Sequence, residues 1–209
     1  MKQERAGRTR RALLRAAASE FDRLGYSGSS LARIARAAEI SMGALTFHFA
    51  SKGELAAAVR EDGEAATRAL VDHVAARQER PLQSVVSLTL ALVELLERNP
   101  SVRAAARLAR EGSDEQPAWQ CLWAPMIGAR LREAPAESLP GVDRTAITDM
   151  AVHLVCGVEA TLCHRCHPDA PGSNVTMLAR VWRQALPDVR LPAGADGEAA
   201  IAALTADEP

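Results

Sequence analysis

Aromatic side chains are scarce in this chain of 209 residues: three Trp, three Phe and one Tyr, 3% in all. Runs of β-branched residues are scarce as well, whereas alanine and arginine, both good helix formers, abound, so an all-α fold is expected. No apolar run approaches the roughly 18 residues that a membrane-spanning helix needs, and the opening MKQERAGRTRR lacks the apolar centre of a signal peptide. These two absences lead to the expectation of a soluble, cytoplasmic protein with no membrane partner. Catalytic signatures are missing too. There is no glycine-rich phosphate loop, no G-x-S-x-G elbow and no H-E-x-x-H pair, and acidic neighbours such as Glu61 and Asp62 read as helix surface. Neither an enzyme nor a cofactor is expected.

What is present begins with an uneven charge. The net value of -1 conceals a balance of +6 over residues 1–60, with 11 Lys/Arg against 5 Asp/Glu, and of -7 over the remainder. A basic N-terminal module on an acidic body is the footprint of a nucleic-acid binder whose second part has another task. The bland alternative is a basic face that is merely solvated. At 22.3 kDa the chain can bury a real core and suits one DNA-binding module plus one all-helical domain.

The most informative stretch is residues 30–52, SLARIARAAEISMGALTFHFASK. Leu31, Ile34, Ala35 and Ala38 recur at helical spacing, Glu39-Ile40-Ser41 breaks the pattern, and a second short helix follows over 42–47. This predicts a helix-turn-helix, with Ser30 and Ser41 each placed to accept a first-turn amide as N-cap. The second helix then projects into a major groove, with Ser30, Ser41 and Met42 among the DNA-binding residues and Gly43, Ala44 and Thr46 closest to the base edges. Phe47, Phe49 and Leu55 are expected as apolar anchors, with the polar Thr46, His48 and Lys52 between them. Ser51 and Glu54 form a capping box that opens the next helix, so Lys52 and the free amides there make a phosphate clamp shared with His48.

These residues resemble a known family. IARAAEISMGALTFHFASKGEL is similar to the DNA-binding signature of the TetR family of transcriptional regulators, and QERAGRTRRALLRAAASEFDRLGYSGSSL with GALTFHFASKGELA resembles the branch of γ-butyrolactone autoregulator receptors. The resemblance is specific over residues 3–60 and weaker at 117–134 and in MAVHLVCGVEA…VWRQALP. It implies a homodimeric repressor that binds a double-stranded, pseudo-palindromic operator and answers a small-molecule effector. Three positions depart from the signature: Glu39 stands where Gly is usual, Met42 where Lys or Arg is, and Thr46 where Tyr is. A changed or weaker operator preference is expected from them.

The resemblance also divides the chain into a DNA-binding domain at 1–50, a ligand-binding and dimerisation domain at 51–187, and a flexible, Gly/Pro-rich acidic tail at 188–209. Residues 1–8 read as a basic arm, and helices are expected over 9–24, 51–78, 81–98, 101–111, from Pro117 through the Trp-containing stretch, 143–165 and 174–186, with loops at 113–116 and 167–172. Leu88 lies on the buried stripe of the 81–98 helix and is assigned to the effector site. Trp119 and Trp123 fall at i, i+4, and the resemblance puts Trp123 over the ligand; that both rings are ordinary core stays open. The same alignment places Gly63 and Glu159 at pocket positions. It places the last two helices, with His153, Val181 and Trp182, in a four-helix interface between subunits.

Cys163-His164-Arg165-Cys166-His167 spells C-x-x-C-H, with His153 and Cys156 upstream. Haem attachment needs export. A zinc site draws its ligands from at least two elements and no second cluster exists, so small packing residues are preferred over a metal or redox sensor and no metal is assigned. Cys121 is expected to be buried.

Overall fold

The computed structural model describes residues 2–112, 117–139, 141–164, 173–187 and 189. Among them are nine α-helices and no strand: α1 (Lys2–Gly28), α2 (Leu31–Ala37), α3 (Met42–His48), α4 (Lys52–Ala76), α5 (Pro81–Arg98), α6 (Pro100–Glu111), α7 (Ala124–Glu133), α8 (Arg144–His164) and α9 (Asn174–Ala185). The expected arm at 1–8 is corrected, because α1 is already helical from Lys2. Cys166, His167, both expected loops and the tail except Val189 lie outside the described residues.

The chain divides into two compact units, residues 1–66 with 99–119, and residues 67–98 with 120–209. A cut at residue 50 is therefore not where compactness places it. Leu55 and Val59 of α4 and Ala104 and Leu108 of α6 belong to the same buried cluster as Leu13, Ala17 and Phe21 of α1, Ile34 of α2 and Leu45 of α3. Removing these apolar surfaces from water is what makes α6 part of the head. Helix α4 passes from the first unit into the second between Ala66 and Thr67.

Polar ties fix α6 to α1 within the head. Arg103 Nε donates to Asp22 Oδ2 at 2.9 Å, and Arg107 donates to the Asp22 carbonyl at 2.8 Å. Gly25 breaks α1 with φ +70, and the freed Tyr26 amide donates to Glu111 Oε2 at 2.6 Å. Only glycine fits there: a Cβ would lie 2.1 Å from the Glu111 carboxylate, and the backbone is left-handed. Gly63 of α4 meets α6 as closely, a Cβ there falling 2.3 Å from the Ser101 carbonyl. The alignment of Gly63 with an open pocket position is thus corrected, because backbone fills that space.

In the second unit α5 is buried on every side from Ser84 to Leu96, broader than the stripe read from the sequence, and α7, α8 and α9 pack against it. Glu97 at the end of α5 accepts from Ser173 Oγ, Asn174 N and Asn174 Nδ2, a carboxylate seated at the amino end of α9 where the helix dipole favours it. Burial pushes the Glu94 carboxyl above the usual carboxylate range; Arg98 opposes this and Glu97 adds to it.

Candidate functional site

The helix-turn-helix is built by its caps. Ser30 Oγ accepts from Arg33 N at 3.3 Å to open α2, and Ser41 Oγ accepts from Ala44 N at 3.2 Å to open α3. Helix α2 closes in a Schellman motif: Glu39 N donates to Arg36 O and Ile40 N to Ala35 O. The motif requires a left-handed residue, and Glu39 supplies it at φ +56, a conformation glycine adopts without the Cβ penalty. The tight turn between the two helices is thus made by a residue strained to make it.

Helix α3 buries Leu45 and, just beyond its end, Phe49, while Met42, Gly43 and Thr46 are exposed and Ala44 and His48 half-buried. The expectation that Phe47 anchors the helix is corrected: the ring is 82% exposed, because Leu45 and Phe49 already fill the core-facing side and Phe47 falls on the opposite one. Thr46 Oγ1 donates to the Gly43 carbonyl at 3.2 Å.

Ser51 caps α4, accepting from Glu54 N at 3.1 Å, and the Glu54 carboxylate returns to Ala50 N at 2.7 Å, one residue before the amide of a standard capping box. Lys52 is engaged by the fold. Its ammonium donates to the Tyr26 and Ser29 carbonyls at 2.8 and 3.2 Å and sits 4.3 Å from the centre of the Tyr26 ring. Tyr26 thereby links Glu111 of α6 to the start of α4, a junction that sequence inspection missed; the lone tyrosine after Gly25 was its available signal. Arg10 of α1 lies over the Phe49 ring at 5.3 Å.

The expected effector residues divide between the units. Leu88 on α5, Trp123 at the start of α7 and Glu159 on α8 are all buried in the second unit, on three helices that pack against one another. Trp119 belongs to the other unit, and the shared helical face expected for the two tryptophans is corrected. Residues 119–122 form a 3-10 turn and Trp123 is the N-cap of α7, because the ring of Pro125 would clash with the Cys121 carbonyl in a continuous α-helix. Cys121 is exposed rather than buried.

Of the expected interface residues, His153 is exposed on α8 and Val181 half-buried on α9, but Trp182 turns inward. It is 1% exposed and donates from Nε1 to Thr89 Oγ1 at 2.9 Å, so it holds α9 to α5 within one chain. Helix α8 is apolar yet little buried: residues Arg144–Leu162 have a mean hydropathy of 1.2 with 22% buried, long and apolar enough to cross a membrane by length and composition alone. Its exposed positions Ala146, His153, Gly157 and Thr161, with the half-buried Met150 and Leu154, recur at helical spacing. No group of three or more His, Cys, Asp or Glu suited to a metal occurs among the described residues.

Residues 13–59 match the model of bacterial regulatory proteins of the tetR family. The A-factor receptor protein of Streptomyces griseus is 30% identical over 201 residues, spanning 91% of this chain and 67% of that protein. The chain belongs to the tetR family. Among solved structures, a γ-butyrolactone receptor described as ArpA-like superposes with a TM-score of 0.67 at 27% identity, covering 98% of this chain and 99% of that one. CprB from Streptomyces coelicolor, solved with its biological operator sequence, gives a TM-score of 0.70 at 30% identity, covering 98% and 100%. This tetR-family chain is therefore a DNA-binding transcriptional regulator related to γ-butyrolactone receptors, and not an enzyme.

Proposed function

We propose that this regulator is a cytoplasmic repressor that binds a pseudo-palindromic operator as a homodimer and is released by a small apolar signalling molecule of γ-butyrolactone or furan type. The observation that carries the reading is the doubly capped helix-turn-helix, whose second helix leaves Met42, Gly43 and Thr46 exposed. Two copies of that helix must lie roughly 34 to 36 Å apart, or a multiple of it, to enter successive major grooves.

The dimer is supported by α8, apolar over Arg144–Leu162 yet only 22% buried, and by Met177, 47% exposed on α9 beside a surface hollow of about 740 Å³ that Val181 also lines. Base edges are approached by Gly43, Ala44 and Thr46, with Met42 exposed at the start of the same helix. His48 and the third N–H of Lys52 hold phosphates, while Ser30 and Ser41 position the two helices through their caps. Leu88, Trp123 and Glu159, all of the second unit, line the effector site, and α4, common to both units, carries the effector's preference for one dimer spacing to the head.

The test is an electrophoretic titration against duplexes selected from a random pool. A γ-butyrolactone should dissociate the complex, and Trp123→Ala should abolish the response while retaining DNA binding. Dissociation by antibiotics or biosynthetic intermediates alone would reassign the effector, and wild-type indifference to every duplex would refute the proposal.

A further inference from the structure

The second helix of the helix-turn-helix carries no Arg, Lys, Asn or Gln. Its exposed face consists of Met42, Gly43, Thr46 and Phe47, and the one hydroxyl among them donates to the helix's own Gly43 carbonyl. The long side chains that read bases bidentately are thus missing, the Thr46 hydroxyl keeps only its acceptor lone pairs for a partner, and most of what this helix offers a groove is hydrocarbon. Phe47 dominates it: the ring is 82% exposed, far more than Met42 at 44%.

The ring is also oriented. The His48 imidazole meets it edge to face, with centroids 5.3 Å apart and planes at 81°. Nothing in the head's core uses this side chain, since Leu45 and Phe49 fill that role. A large aromatic left in water on the helix that projects from the head is costly unless a partner covers it, and the balance of +6 over residues 1–60 favours a polyanion as that partner. In the major groove of duplex DNA the apolar feature of a base edge is the C5-methyl of thymine.

We infer that Phe47 is a specificity-determining residue that reads a thymine C5-methyl group in each half-site. The inference rests on the operator-binding reading above and adds to it the kind of contact that chooses sequence. A helix without Arg, Lys, Asn or Gln toward the groove selects thymine by methyl contact and leaves register to backbone contacts elsewhere in the head.

The test is a cycle between protein and DNA. A high-affinity duplex is selected with the wild-type protein, each thymine is replaced in turn by deoxyuridine, which lacks only the methyl group, and affinities are measured for the wild type and for Phe47→Ala. At one thymine per half-site, deoxyuridine should weaken the wild type by about fourfold, the value of one buried methyl, and should leave Phe47→Ala unchanged. The exposed position makes the variant as stable as the wild type, which its melting curve checks. Equal deoxyuridine penalties in both proteins at every thymine, or a Phe47→Ala loss that is uniform across unrelated duplexes, would overturn the inference while operator binding stands. If the wild type selects no duplex at all, the operator-binding reading falls and takes this inference with it.

Discussion

Glu39 concentrates two opposing demands in one residue, and two substitutions separate them. Its φ of +56 completes the Schellman closure of α2, and a non-glycine residue in that region carries about 1 kcal/mol of strain. Glu39→Gly removes both the strain and the charge, whereas Glu39→Ala removes the charge and keeps the Cβ. With about 1 kcal/mol returned, and about 2 to 4 °C per kcal/mol in a protein of this size, Glu39→Gly should melt about 2 to 4 °C above the wild type. Glu39→Ala should melt within about 1 °C of it. For DNA the two should behave alike. A carboxylate about 10 Å from a phosphate costs about 0.4 kcal/mol in water before screening, so both variants should bind about twofold tighter at low salt and lose the advantage near 0.2 M. Calorimetric melting and a salt-dependent titration read the two effects independently. Equal melting temperatures for Glu39→Gly and Glu39→Ala would refute the strain reasoning, and different affinities would refute the charge reasoning.

Other substitutions test the remaining parts. Lys52→Ala removes two carbonyl contacts and the stack on Tyr26, so it should melt about 2 to 4 °C lower and bind every duplex more weakly, with a log-log salt slope smaller by about one; an unchanged slope assigns Lys52 to the fold alone. Trp182→Phe should cost about 2 kcal/mol through the lost Thr89 hydrogen bond and lost volume, without altering dimerisation by sedimentation, because the ring faces its own chain. A Cβ at the exposed Gly157 meets nothing within 4 Å in the protomer, so Gly157→Trp should stay folded by circular dichroism yet sediment as a monomer. The raised Glu94 carboxyl destabilises the wild type as pH rises from its unfolded value of 4.5 through the folded one, a dependence that Glu94→Gln should lack when the two denaturation profiles are subtracted.

Much of this molecule is legible in its sequence because helix signals are local. Ser30, Ser41 and Ser51 cap the helices they precede, Pro81 opens α5, and Asn99 closes the gap to α6 with Pro100 at its first turn. Errors arise where a local pattern has two geometric outcomes. Phe47 and Phe49 look like paired anchors in a string of letters, but Phe47 lies two residues, about 200° of helix, from the buried Leu45, whereas Phe49 follows α3 as its extended cap and turns inward. Trp119 and Trp123 have helical spacing, yet Pro125 forbids the helix that would align them. Trp182 reads equally well as an outward or an inward apolar residue, and Thr89, 93 positions earlier in the chain, decides it. The ties of Asp22 to Arg103 and Arg107 join residues more than 80 positions apart and have no sequence signature, and that of Tyr26 to Glu111 is marked only by the lone tyrosine after Gly25.

The measurement that bears most directly on the whole reading is the stoichiometry of the complex with a selected duplex, by sedimentation equilibrium across salt concentrations. Chains bound in multiples of two per duplex, with affinity falling steeply as salt rises, are the expected result. A single chain per duplex, or no complex even at low salt, would contradict it.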